Sequence, residues 1–330
     1  MQVHVESAAL DLADVRRLGD GLNRPECVIA NAAGDIFSAD WRGGVAHLKP
    51  DGTQALYRGE LPGGRPARPN GIALRRDGSF LFADLGAESG GVFSLSRSGE
   101  IRPFLEQVDG VALPPTNFVF EDARSRVWIT VSTRLVPRAL GYRRDVADGF
   151  VVLVDGSGAR IVCDGLGYTN EAVLDARGDW LYVNETFARL TSRFPVRHDG
   201  ALGPREVFAR YGPGTFPDGM AFDDQGHLWI VSIISNRVLR VAPDGDVTTV
   251  LEDLDPAHVA WVEAAYLAGE LGRPHLDGVK SARLRNISSI AFGGPGRRTA
   301  YLGCLLDDAI YAFDSPVAGL APAHWNWPER

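Results

Sequence analysis

One unit recurs six times along the chain, and a repeat of this length sets the architecture before any other signal does. Its clearest copy is Phe216-Pro217-Asp218-Gly219-Met220-Ala221-Phe222, which leads through Gln225-Gly226 to Leu228-Trp229-Ile230-Val231. Each copy reads as a buried strand, a polar turn and a second buried strand. The other copies open at Pro25-Glu26-Cys27, Pro69-Asn70-Gly71, Thr116-Asn117-Phe118, Thr169-Asn170-Glu171 and Ile287-Ser288-Ser289. The intervals are 44, 47, 53, 48 and 70 residues, and a four-stranded propeller blade needs about 40–50.

Each unit continues into a second strand pair. Gly44 to Leu48 turns at Pro50-Asp51-Gly52 into Gln54 to Tyr57, and Val238 to Val241 turns at Pro243-Asp244-Gly245 into Val247 to Val250. Proline presets one turn φ and glycine takes the positive one. The fold expected is therefore all-β: a six-bladed β-propeller of four-stranded antiparallel blades, one domain over residues 1–330. The last unit lacks a fourth strand after Ile310 to Phe313. A strand within Val15–Leu22, after a loose lead-in over residues 1–12, is expected to supply it and remove an open edge. Two insertions interrupt the repeat. One, at about 133–148, is a loop with Arg134, Arg138, Arg143 and Arg144; the other, at about 256–272, has apolar residues at helical spacing.

The net charge of −8 argues against nucleic-acid or anionic-membrane surfaces. No apolar run reaches the roughly 18 residues a membrane span needs, and Met1 to Leu12 shows no signal-peptide pattern. Cys27, Cys163 and Cys304 have neither disulfide-framework nor zinc spacing and read as buried free thiols. A cytoplasmic protein acting on a small molecule is expected.

Superposing the six starts puts Glu26, Asn70, Asn117, Asn170, Asp218 and Ser288 in one register. The innermost strand of every blade runs beside the central axis, so equivalent positions face one shared point. Any one of the Asn, Asp or Ser residues alone reads as a turn former, but turn preference does not explain Glu26. Together they offer six oxygens and no sulfur or imidazole, the ligand chemistry of a hard cation. Calcium suits this set, with magnesium, manganese or zinc less typical. Asn70 and Ser288 are alternatively placed to touch substrate. Tyr168, Phe216 and Phe118 flank the register positions and are expected to line an apolar pocket, with Trp41 at its rim. Arg134 or Arg138 is a candidate for a substrate carboxylate. Trp128 and Trp229 read as core.

These motifs resemble the regucalcin/gluconolactonase family (senescence-marker-protein/gluconolactonase-like), related to diisopropylfluorophosphatase, over residues 20–315. The resemblance implies a six-bladed propeller with one catalytic divalent metal in its channel. It places the ligands on Glu26, Asn117, Asn170 and Asp218. It also implies a hydrolase of lactones, with the metal polarising the carbonyl and Asp218 as base or nucleophile. Sugar-lactonase members carry an Arg two residues before the first Asn ligand and an Asp just after it; here Pro115 and Phe118 stand there, so gluconolactone is expected to be a weak substrate. The alternatives are a phosphotriesterase-like or bond-forming enzyme on the same metal, and a non-catalytic interaction propeller. If Asp218 is only a ligand, His258 and Glu185 are the next candidates for the base.

Overall fold

A computed structural model describes residues 10–328; most of the lead-in expected at residues 1–12 lies outside that range. Six four-stranded antiparallel sheets stand in a ring. In the first blade, Val28–Ala30, Ile36–Asp40, Gly44–Leu48 and Gln54–Arg58 follow one another from axis to rim. The remaining inner strands are Pro69–Leu74, Phe118–Glu121, Thr169–Leu174, Thr215–Phe222 and Ile287–Gly293. Each inner strand packs on the next, and that of the sixth blade returns to that of the first.

Burial falls from the second strand of a blade toward its rim. Leu228–Ile234 is buried along its whole length, whereas Gln54–Arg58 is half open. Second strands have a neighbouring blade on each face, so their sequence is continuously apolar rather than alternating. Between the first two blades the core is Cys27, Ile29, Phe37, Ile72, Phe80 and Phe82. The polar turn of the repeat is itself a hydrogen-bonded device. Asp223 accepts from the backbone of Gln225 and His227 at 2.9 Å each and from Trp229 Nε1 at 3.0 Å. Asp122 does the same for Arg124, Arg126 and Trp128. The two tryptophans are fully buried, as expected, and their only polar atom is satisfied by the turn that precedes them.

The ring closes with an N-terminal strand. Arg16–Leu18 pairs antiparallel with Ile310–Asp314 as the outer strand of the sixth blade. It is shorter than the expected Val15–Leu22 segment, because Gly19 and Gly21 take left-handed φ of 78° and 62° and end it. After Asp314 the chain crosses under the ring. Leu320 N donates to the Phe222 carbonyl at 2.8 Å, and Asp224 N to that of Ala318 at 2.9 Å. Farther on, Ala32 N donates to the Trp325 carbonyl at 2.7 Å, and Asn31 Nδ2 to that of Trp327 at 3.0 Å. Trp327 is buried among Phe37 and Phe80.

The second insertion holds the helix Pro256–Ala268, capped by Asp255 Oδ1 accepting from His258 N at 2.8 Å and ended by Gly269 at φ 75°. The expected helix to residue 272 is thus shorter, and a separate turn of helix, Arg273–Asp277, follows it. No helix among the described residues is long and apolar enough to cross a membrane. The three cysteines are free. Cys27 and Cys304 are buried, but Cys163 is only half-buried, contrary to expectation, because its outer strand Gly158–Leu166 has one open face.

Candidate active site on the propeller axis

The register positions are aimed by irregular backbone. Ladder pairing slips between Pro69 and Ile72, Thr169 and Ala172, Pro217 and Met220, and Ile287 and Ser289. Asn70, Asn170, Asp218 and Ser288 sit inside these four bulges, which turn their side chains out of the sheet. Two residues before an axial position, Arg24, Tyr168 and Asn286 take left-handed φ of 52°, 68° and 61°. Such conformations are rare for residues with a Cβ and concentrate at functional sites. Gly71 and Gly219 follow two of the axial residues. A Cβ at Gly71 would meet Phe118 Cα at 2.6 Å, and one at Gly219 would meet Ser289 Cα at 2.5 Å. Glycine there lets inner strands approach at the axis.

All six axial residues are buried. Asn117 Nδ2 donates to Asn170 Oδ1 at 2.7 Å, and Asn170 Nδ2 donates to Thr186 Oγ1 at 2.9 Å. Asn70 Nδ2 donates to the Asn117 carbonyl at 3.0 Å, leaving Asn70 Oδ1 buried without a partner. Ser288 is spent on the backbone carbonyl of Glu26, at 2.9 Å. Glu26 is held by Arg24 at 3.0 Å.

A pocket of about 250 Å³ opens above this ring. Its walls include Glu26, Asn170 and Asp218, together with Arg24, Arg138, Trp41 and Tyr168. The first insertion folds over it: Arg138 Nε donates to Tyr168 Oη at 2.7 Å and Nη2 to Asn117 Oδ1 at 3.3 Å. A larger cavity, about 340 Å³, lies at the other end of the inner strands and the turns that follow them, and contains Cys27, Phe118, Glu171 and Ser289. We place the site in the smaller pocket, because Glu26, Asn170 and Asp218 open into it.

Burial pushes the Asp218 carboxyl well above the usual carboxylate range, helped by Glu26 and Glu171 and opposed by Arg138 and Arg24. Burial also lifts Glu171, to about 8. Two buried carboxyl groups beside amide oxygens, one of them orphaned, are a donor set of hard oxygens that a divalent cation fits. No group of three or more His, Cys, Asp or Glu with metal-site geometry exists among the described residues, so such an ion would rely on the asparagine oxygens.

Residues 65–263 match the SMP-30/Gluconolactonase/LRE-like region. The chain belongs to this family. Two curated members are similar to it. A 6-deoxy-6-sulfogluconolactonase of Pseudomonas putida is 30% identical over 183 residues, 53% of this chain and 58% of that protein. The pentonolactonase XacC of Haloferax volcanii is 28% identical over 239 residues, 70% of this chain and 65% of that protein. The match thus spans about three-fifths of the length of these curated relatives. Among solved structures, the calcium-binding protein regucalcin of Agrobacterium tumefaciens superposes with a TM-score of 0.62 at 16% identity, covering 92% of this chain and 94% of that one. At that identity the likeness shows the shared propeller fold.

Within this SMP-30/gluconolactonase chain the other sequence candidates fall as follows. Tyr168, Arg138 and Trp41 line the pocket. Phe118 lines the opposite cavity. Phe216 is fully buried under Arg189 and Tyr266. Arg134 is exposed and paired with Asp164 at 2.8 Å. His258 bonds the His275 carbonyl inside the helical insertion, and Glu185 is paired with Arg205. Sequence reasoning missed Arg24, Arg68 and Arg273 in the pocket wall. Arg24 was findable from its place beside Pro25-Glu26. Glu171 was findable as the residue standing where Gly71 and Gly219 follow their axial partners.

Proposed function

We propose that the chain is a divalent-cation-dependent hydrolase of lactones or related cyclic esters, with calcium the ion its donor set favours. The observation that carries this reading is the convergence of Glu26, Asn170 and Asp218 on one pocket, with Asn117 bonded to Asn170. The names of the two curated relatives, both lactonases, and the calcium binding of the regucalcin neighbour agree with it. Glu26, Asn117, Asn170 and Asp218 would hold the ion, which supplies Lewis acidity toward the ester carbonyl oxygen. Asp218 takes the proton of the attacking water at a carboxylate oxygen as the water oxygen bonds to the carbonyl carbon. The ring C–O bond then breaks and that proton passes to the leaving oxygen, giving the open hydroxy acid. Arg138 and Tyr168 orient the substrate, and the insertion that carries Arg138 narrows access for bulk water. Three free cysteines fit a reducing compartment such as the cytoplasm.

The test is a panel of five- and six-membered lactones and aryl esters assayed by pH-stat on metal-stripped protein, before and after added calcium, magnesium, manganese or zinc. Hydrolysis that appears only with a divalent ion is expected. Hydrolysis that is indifferent to chelation overturns the metal role, and no hydrolysis of any member overturns the lactonase reading.

A further inference from the structure

The pocket wall carries more positive charge than its own carboxylates balance. Arg24, Arg68, Arg138 and Arg273 all line it, against Glu26 and Asp218. Two of these arginines are committed: Arg24 to Glu26 at 3.0 Å, and Arg273 to Asp277 at 2.5 Å. The other two make no ion pair among the described residues. Arg68 is exposed, with its guanidinium 5.5 Å from the centre of the Trp41 ring. Arg138 is held in place by Tyr168 and Asn117, yet its Nη1 is buried with no hydrogen-bond partner. A shielded guanidinium nitrogen left unpaired is costly unless something completes it. Should Glu26 and Asp218 be occupied by a divalent cation, they cannot serve that purpose, and the pocket becomes more positive still.

We propose that this pocket selects substrates bearing an anionic oxygen group, a carboxylate, phosphate or sulfonate, and that Arg138 and Arg68 are the residues that bind it. This rests on the lactonase reading for the reaction but not for the binding. A guanidinium presents its donors in a planar fork that matches such oxyanions. The anionic group lies away from the carbonyl that reacts, so it contributes chiefly to binding, and its loss raises KM more than it lowers kcat.

The experiment has two arms. The first compares hydrolysis of 5-oxotetrahydrofuran-2-carboxylate with that of γ-valerolactone, the same ring bearing a methyl in place of the carboxylate. The second measures binding of tetrahydrofuran-2-carboxylate, which has no ester to hydrolyse, against tetrahydrofuran by calorimetry, and then repeats it with methyl phosphate and methanesulfonate to rank the three oxyanions. Wild-type protein is expected to favour the carboxylated lactone by about 10- to 100-fold in kcat/KM, the span of a charged hydrogen bond gained or lost. Arg138→Met and Arg68→Gln are each expected to cut that ratio about tenfold through KM, and to weaken binding of the anion in the second arm. Arg143→Gln, on the same insertion but paired with Asp145 in solvent, should leave the ratio unchanged. Because Arg138 also anchors Tyr168, the surface variant Arg68→Gln keeps the test sound if Arg138→Met folds poorly. Equal turnover of both lactones with no anion binding overturns the proposal and leaves the lactonase reading standing. Anion binding that depends on Arg68 or Arg138, with neither lactone hydrolysed, supports the proposal and leaves the lactonase reading to the wider panel above. Anion binding that survives both variants overturns the assignment of the two arginines.

Discussion

Arg24 reaches Glu26 at 3.0 Å, two residues along the same backbone, and does so from a left-handed φ of 52°. The strained arginine therefore both orients the one axial glutamate and opposes any cation that glutamate would hold. At a few ångströms and an effective dielectric near 20, that opposition amounts to about several kcal/mol before relaxation. Arg24→Gln is expected to tighten calcium binding by at least about tenfold in calorimetry on metal-stripped protein. Weaker binding would mean that orientation outweighs repulsion.

Asp218→Asn keeps the shape of the side chain and one ligand oxygen but removes the group that takes the proton. Turnover of the best lactone is expected to fall about 10²–10⁴-fold, the usual span of general-base catalysis. The loss should persist at saturating metal. Full recovery at high calcium would reduce Asp218 to a ligand.

Gly219→Ala tests the close approach of inner strands. Its Cβ would lie 2.5 Å from Ser289 Cα and 2.6 Å from the Ser288 carbonyl oxygen, both backbone atoms that cannot swing away. Overpacking of this kind costs about 1–3 kcal/mol or more, read as a lowered urea midpoint at constant slope. An unchanged midpoint would show that the channel wall yields.

Removal of residues 1–18 takes away the outer strand Arg16–Leu18 and bares the edge of Ile310–Asp314. Concentration-dependent aggregation is expected, since an unpaired edge is a template for other chains. A truncated protein that stays monomeric and equally stable by light scattering and thermal melting would contradict this.

His324 sits at the lower cavity with its Nε2 buried and unpartnered, and burial lowers its pKa to about 4. Between pH 6.5 and about 4 the unfolded chain binds the proton and the folded one does not, so stability falls as pH falls through that window and is flat above it. The loss attributable to His324 is about 1–3 kcal/mol, allowing for its partial exposure. His324→Asn should flatten the acid limb of a denaturation-versus-pH curve; an unaltered slope would assign the limb to other groups.

The sequence was legible wherever one position repeats. Six polar residues in one register located the axis, and apolar second strands located the blades. It was less legible where the backbone departs from the repeat. Asn70 and Ser288 share the register of Asp218, yet their hydrogen bonds go to the backbone carbonyls of Asn117 and Glu26. Phe118 and Glu171 follow axial residues directly, and each lines the opposite cavity. A bulge decides which end of the channel a side chain meets, and bulge geometry leaves little mark on residue type. Arg68 stands two residues before Asn70, the place Arg24 holds before Glu26, and so was open to the same internal comparison; Arg273 lies on the short helix Arg273–Asp277 of an insertion, which the repeat does not cover.

The segment that runs beneath the ring gives the seam a second fastening. Arg16–Leu18 ties the first part of the chain to the sixth blade at the rim, while Leu320 and Trp327 tie the last part to the fifth and first blades underneath. To pry the first and sixth blades apart, a fluctuation must undo both ties, which lie at different radii and have different lever arms. Such a ring resists hinge-like opening at its join and yields as one body. Under force applied to its two ends, a single rupture event is expected rather than blade-by-blade peeling.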